Sequence, residues 1–242
     1  MYGWRTRLGL LVPSSNTTNE PEFHRVLPEG VSLHTARLPL EGVNADDLET
    51  MSRTAEDVSE SLGHADVDVV AYGCTTGSLV KGHGYAEKIE NDVAAAADAP
   101  AIATALSIDR ALSELGAKRV AVVTPYIEEL NEREQSFLEE SGFDVVSMDG
   151  RGIEVNTRIG ALRPEDAYRQ AAAALDSDGT GDTDADAVFV SCTNYRTFEM
   201  IDRLETDLGV PVVTSNQATL WDALRRADFD HTSIDLGRLF DY

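Results

Sequence analysis

Three segments of this chain recur once each, in the same order, and no other feature limits its fold as much. Arg7-Leu-Gly-Leu-Leu-Val-Pro resembles Arg119-Val-Ala-Val-Val-Thr-Pro, and Ala99-Pro-Ala-Ile-Ala-Thr resembles Val210-Pro-Val-Val-Thr-Ser. Between them, Asp66-Val-Asp-Val-Val-Ala-Tyr-Gly-Cys-Thr resembles Asp184-Ala-Asp-Ala-Val-Phe-Val-Ser-Cys-Thr. The offsets fall between 111 and 118 residues. Apolar strands ending in small residues look alike by chance. Three ordered pairs, one with a shared Cys-Thr, instead mark a duplicated unit.

Each unit alternates short apolar runs with helical stretches, the pattern of βα repeats and parallel sheets. The runs are Leu8–Val12, Val67–Tyr72, Ala101–Ala105, Val120–Val123, Ala187–Val190 and Val210–Thr214. Helices are expected at Ala45–Leu62, Tyr85–Ala97, Ile108–Leu115, Glu128–Ser141, Pro164–Leu175 and Thr197–Leu208. The fold class is therefore α/β, with two pseudo-symmetric lobes of parallel sheet. The first lobe is expected to span residues 1–104 and 215–242, and the second residues 105–214. Ligands of open α/β lobes bind at the carboxyl ends of the strands. Cys74 and Cys192 each follow a strand directly, so both thiols are expected to face one cleft between the lobes.

The surroundings of these cysteines point to chemistry. Gly73-Cys-Thr-Thr-Gly-Ser78 reads as a strand end, a tight turn and a helix start, whose N–H groups favour negative charge and lower a thiol pKa. Gly73 and Gly77 allow positive φ or close backbone approach. Ser191-Cys-Thr-Asn194 has the same polar character. A lone buried cysteine is usually an inert small hydrophobe, but two matched ones are harder to dismiss. Other chemistries find less support. The histidines, at 24, 34, 64, 83 and 231, lack metal-ligand spacing, so no metal is expected. His83 could serve Cys74 as a base but reads better as a surface residue. There is no dinucleotide or phosphate-binding loop and no Gly-x-Ser-x-Gly elbow, and no cofactor is expected.

Composition narrows the partners. The 43 Asp and Glu outnumber 20 Lys and Arg, for a formal charge of −23, and the only lysines are Lys81, Lys88 and Lys118. So acidic a surface repels nucleic acid and anionic lipid. The charge is dispersed, with only Asp176–Asp186 reading as a solvated acidic loop, which suggests adaptation to high salt. No apolar run approaches a membrane span, and Leu8–Pro13 is too short for a signal sequence. A cytoplasmic protein with free thiols is expected.

The sequence resembles the maleate cis-trans isomerase family within the aspartate/glutamate racemase superfamily along nearly its whole length. The resemblance rests on Val12-Pro-Ser-Ser-Asn-Thr-Thr-Asn-Glu-Pro-Glu-Phe23, Cys74-Thr-Thr-Gly-Ser78, Thr124-Pro-Tyr126, Asn156 in Val-Asn-Thr-Arg-Ile-Gly, Ser191-Cys-Thr-Asn-Tyr-Arg-Thr-Phe198 and Ser215-Asn-Gln217. It implies two Rossmann-like lobes with the active site between them, and a homo-oligomer, dimer or tetramer. It further implies Cys74 as nucleophile toward maleate, Cys192 as acid/base, and Asn16, Tyr126 and Asn156 as binders of the substrate carboxylates. Ser14, Thr75, Thr76, Thr193 and Asn194 are secondary candidates. Arg37 and Arg196 are available cations that the sequence does not place. Thr76 departs from the serine common in the family and narrows the pocket by a methyl.

Each binder also has a plainer reading. Asn16 is a good cap for a helix starting near Thr18, Tyr126 a packing aromatic, and Asn156 a turn residue. Two rival functions remain at this level. One keeps the fold and changes the reaction, to an aspartate-like racemase or a relative acting in ectoine catabolism. The other is a non-catalytic protein that binds small dicarboxylates.

Overall fold

The computed structural model of the chain describes residues 2–40, 45–175 and 185–242. Strands β1 (Thr6–Pro13), β2 (Val31–Leu38), β3 (Val69–Tyr72) and β4 (Ala101–Ala103) form a parallel sheet in the order β2-β1-β3-β4. Strands β5 (Arg119–Thr124), β6 (Asp144–Gly150), β7 (Ala187–Val190) and β8 (Val212–Thr214) repeat that topology as β6-β5-β7-β8. The duplication reaches single hydrogen bonds. Arg7 N donates to Asp68 Oδ2 at 2.8 Å, and Arg119 N to Asp186 Oδ2 at 2.9 Å. Gly73 N donates to Leu11 O at 2.8 Å, and Ser191 N to Val123 O at 2.9 Å.

The inner strands β3 and β7 are buried along their whole length, which is why they read as unbroken apolar runs. Side chains on the central strands alternate between two cores. Leu8, Leu10 and Val12 of β1 share one core with Val120 and Val122 of β5, whereas Leu11, Ala121 and Val123 point into the other. Both cores draw on both sheets, so the lobes share an apolar interior.

Helices α1 (Asn19–Val26), α2 (Ala45–Arg53), α3 (Ala55–Gly63), α4 (Thr75–Leu79) and α5 (His83–Ala97) belong to the first half. Helix α6 (Thr104–Glu114) follows β4. The second half carries α7 (Glu128–Glu140), α8 (Asn156–Gly160), α9 (Pro164–Leu175), α10 (Ile201–Leu208) and α11 (Ser215–Arg226). Helix α11 leaves β8 yet packs on α6 and against β3 and β4 of the other sheet. Its start is fixed by a reciprocal cap: Gln217 N donates to Thr214 Oγ1 at 3.2 Å, and Thr214 N to Gln217 Oε1 at 3.1 Å. Residues Ser215 to Leu224 are all buried, as a helix enclosed on every side must be.

Several elements differ from expectation. The helix expected over Ala45–Leu62 is two helices, interrupted where the Thr54 hydroxyl and N–H both donate to Met51 O, at 2.8 and 3.1 Å. The run Ala101–Ala105 stops being strand at Ala103, and Thr104 opens α6. The start of the Thr197–Leu208 segment is a 3-10 turn, Phe198–Met200. Of the acidic stretch 176–186, residues 176–184 lie outside the described residues.

Candidate active site

Cys74 and Cys192 leave β3 and β7 at corresponding positions and are both free, buried thiols. They line one small, narrow cavity with Asn16, Thr75, Thr76, Tyr126, Asn156, Thr193 and Asn194, closed by Pro13 and Leu40. Among the described residues that line it, none is charged.

The two thiol turns are built differently. Cys74 is extended (φ −146°, ψ 112°) and caps α4, its Sγ accepting from Gly77 N at 3.3 Å. Neither Gly73 nor Gly77 has positive φ. What they provide is room. A Cβ on Gly77 would come within 2.9 Å of Cys74 Sγ, and one on Gly73 within 3.0 Å of Leu11 O. The positive φ falls instead on Cys192, at 97°, and no helix follows it. Asn194 N donates to Cys192 Sγ at 3.3 Å. One hydroxyl joins the turns: Ser215 Oγ accepts from Cys192 N and from Thr75 Oγ1, each at 2.9 Å.

The polar walls are equally fixed. Asn16 Oδ1 accepts from Thr18 N at 2.9 Å and Asn19 N at 3.0 Å, so it caps α1 while its amide donates to Thr193 Oγ1 at 3.1 Å. Asn156 Nδ2 donates to Ser15 Oγ at 2.8 Å, and Asn194 Nδ2 donates to Asn156 O at 2.8 Å and Oδ1 at 3.1 Å. The Tyr126 hydroxyl lies beside Cys192 on the cavity wall. Ser14 does not line the cavity; its hydroxyl accepts from Leu40 N at 3.0 Å and so holds the residue that does. The two cations also stay outside. Arg37 braces the loop by donating to Asn16 O at 2.9 Å and pairs with Glu20, and Arg196 pairs with Glu199. His83 is remote, stacked on Phe137 and bonded to Ser141 Oγ at 2.6 Å.

Electrostatics correct the expectation of lowered thiol pKa values. Burial pushes Cys74 up to about 11, against the smaller lowering effects of Gly77 N–H and the Thr76 hydroxyl. Burial also pushes Cys192 up to about 12, against the Tyr126 hydroxyl and Asn194 N–H, with Cys74 raising it further. Tyr126 is raised by burial and then by the negative charges of Cys192 and Glu134. Desolvation of a thiolate outweighs two or three donors when no cation lies beside it. At rest both sulfurs are protonated.

Glu22, Glu134 and Ser215, none of them among the expected site residues although Glu22 and Ser215 lie in segments that carry the resemblance, complete the surroundings. Glu22 on α1 accepts from Thr197 N at 2.6 Å, Phe198 N at 2.9 Å and Asn216 Nδ2 at 2.6 Å. Glu134 on α7 accepts from Ser191 Oγ at 2.6 Å. A signal for both was present. Asn19-Glu-Pro-Glu22 and Asn131-Glu-Arg-Glu134 stand 112 residues apart, the spacing of the first repeat pair. A larger groove between α6 and α11 is lined by Arg110, Trp221 and Arg225, whose charges are already met by Asp222, Glu90 and Glu114.

The match to the arylmalonate decarboxylase family runs over residues 8–240. The chain belongs to that family. Within it, the chain is 31% identical to the maleate isomerase of Pseudomonas putida over 238 residues, 93% of this chain and 92% of the relative. A crystal structure of a Cys-to-Ala variant of a Pseudomonas putida maleate isomerase, with maleate, superposes with a TM-score of 0.90 at 27% identity, covering 97% of both chains. A Cys-to-Ser mutant of Nocardia farcinica maleate cis-trans isomerase, carrying a covalently bound succinylcysteine intermediate, superposes at 0.88 with 27% identity over 97% and 98%. The two-lobed α/β fold is thus common to this family.

Proposed function

We propose that this chain isomerises maleate to fumarate by covalent thiol catalysis, with no cofactor. The observation that carries the reading is the pair of free thiols, one from each lobe, on opposite units of the repeat and lining a single small cavity of uncharged donors. The succinylcysteine of the Nocardia relative is the species that thiolate addition to maleate gives.

The Cys74 thiolate adds to one olefinic carbon, and the displaced π pair takes the Cys192 S–H proton at the neighbouring carbon. What remains is a thioether and a Cys192 thiolate. The former double bond is now single and rotates. Cys192 then removes a proton from the same carbon, the double bond re-forms, and Cys74 leaves as thiolate. Covalent addition splits one large barrier into two smaller ones. Asn16, Tyr126 and Asn156 take the carboxylates, with Thr75, Thr76, Thr193 and Asn194 beside them, as preorganised neutral donors. Ser14 acts only through Leu40. Because burial holds Cys74 near 11, the thiolate is scarce at neutral pH, and the rate is expected to rise about tenfold per pH unit from neutrality.

Purified protein in molar salt, without metal or nucleotide, should convert maleate to fumarate by proton NMR. Racemisation of aspartate with no action on maleate would overturn the substrate. Replacing Cys74→Ser should abolish turnover and leave maleate binding, measured by calorimetry, nearly intact. Turnover surviving that substitution would remove Cys74 from the reaction.

A further inference from the structure

The repeat places Glu22 and Glu134 at equivalent positions, but their surroundings have diverged. Two backbone N–H groups and an Asn amide hold Glu22. The offsets of 118 and 111 residues make Leu79, Val80 and Ala105 the counterparts of those three donor residues. Leu79 lies within α4, Val80 N donates to Thr76 O at 3.1 Å, and Ala105 has no amide side chain. None of these donors serves Glu134. Among the described residues, its one hydrogen-bond donor is the Ser191 hydroxyl, where the first lobe has Gly73, and Glu134 Oε2 is buried with no partner. Glu134 is 1% exposed and lies behind the Cys192 turn. A bare carboxylate oxygen so placed would carry its full desolvation penalty.

We propose that Glu134 is a positioning residue held as a neutral carboxylic acid, which keeps negative charge away from Cys192 and Tyr126 while Cys192 passes through its thiolate. It touches no substrate and transfers no proton. Its surroundings agree with this role. Cys192 and Tyr126 are the ionisable groups that its charge would oppose. Helix α4 presents no charged residue, and Cys74 stands at its cap. On β6, Asp144 pairs with Arg119, and Asp149 accepts from Gln170. On α7 itself, Arg133 pairs with Glu129 and donates to Val80 O. Burial pushes Glu134 up to about 8, with the Ser191 bond lowering it in part. Ionisation above that pH sets a like charge against the Cys192 thiolate.

The inference rests on the two-thiol reading, and its test has one arm that needs no maleate. In the wild type, kcat/KM should climb with pH and break near pH 8. Glu134→Gln, uncharged and of the same shape, should stay active and lose that break. Ser191→Ala removes the one donor that lowers the Glu134 pKa, so its break should move to higher pH. The second arm is iodoacetamide labelling of Cys192, read by mass spectrometry from pH 6 to 11 without substrate. Labelling should begin at lower pH in Glu134→Gln than in the wild type. A shifted labelling profile without maleate turnover would leave the role of Glu134 intact and defeat the isomerase reading. Identical labelling profiles would overturn the proposal, as would a folded Glu134→Gln protein that is inactive at every pH.

Discussion

Cys192 holds a backbone conformation, φ 97°, that a residue with a Cβ adopts only when its neighbours enforce it. The enforcing contact is Ser215, whose oxygen receives both Cys192 N and Thr75 Oγ1. Ser215→Ala leaves that N–H buried and unpaired, which costs about 1–3 kcal/mol. It also frees the two thiol turns from each other, so activity should fall by more than the change in melting temperature suggests. Kinetics and thermal melts on the same preparation check this, and an unchanged kcat would show that the turns are held elsewhere. The buried acids add a pH signature. Glu134 and Glu22 have folded-state pKa values of about 8 and about 7, above their ordinary 4.5. Each therefore binds its proton more tightly when folded. The stability this gives is present in full below pH 4.5 and is lost as pH rises through those values. The melting temperature should fall from pH 5 to 9, and it should fall less in Glu134→Gln. Equal slopes would show that Glu134 keeps an ordinary pKa.

At the scale of elements, the inner strands β3 and β7 were legible because burial on both faces leaves an unbroken apolar run, and their thiols were legible with them. The edge strands β2 and β6 were not. Both are edge strands only partly buried, unlike the buried edges β4 and β8, and residues such as Ser32, His34, Asp144 and Ser147 interrupt their apolar pattern. The turns after Cys74 and Cys192 share a polar character in sequence but not a conformation. A helix forms only where Gly77 admits the close packing against Cys74 Sγ and Ser78 Oγ donates back to Cys74 O at 2.7 Å. Ser215, Glu22 and Glu134 were missed as site residues because their roles depend on groups between 23 and 194 residues apart meeting in space, and acidic residues are common throughout. Helix α1 shows how strongly such meetings count. Glu22 fastens it to the Thr197 turn, and Asn216 is oriented by accepting from Asn19 Nδ2 at 2.7 Å while donating to Glu22 Oε2. Glu22→Gln points one amide NH2 at another, and Asn216 cannot turn over without losing Asn19. A loss of about 1–3 kcal/mol is expected, read in chemical denaturation. A neutral result would mean that Glu22 already works as an uncharged acid.

The whole molecule carries a formal charge of −23, and its 43 acidic residues exceed the 20 Lys and Arg so far that one-to-one pairing leaves at least 23 carboxylates unmatched. Many pairs that do form are local ones on exposed helix faces, such as Arg203 with Asp207 and Arg133 with Glu129. Pairs of that kind contribute about 0.3–0.5 kcal/mol each and do little against net repulsion. The cores, by contrast, are continuous across both sheets and owe nothing to charge. Salt should therefore act on the surface alone. Near 1 M the screening length falls to about 3 Å, and the repulsion that opposes the compact state is largely screened. Each kcal/mol recovered raises the melting temperature of a chain this size by about 2–4 °C. Between 0.1 and 2 M potassium chloride the melting temperature should rise steadily, while sucrose at matched osmolality, which screens nothing, should raise it less. A flat response to potassium chloride, or one that sucrose reproduces, would show that the acidic surface is not what high salt stabilises.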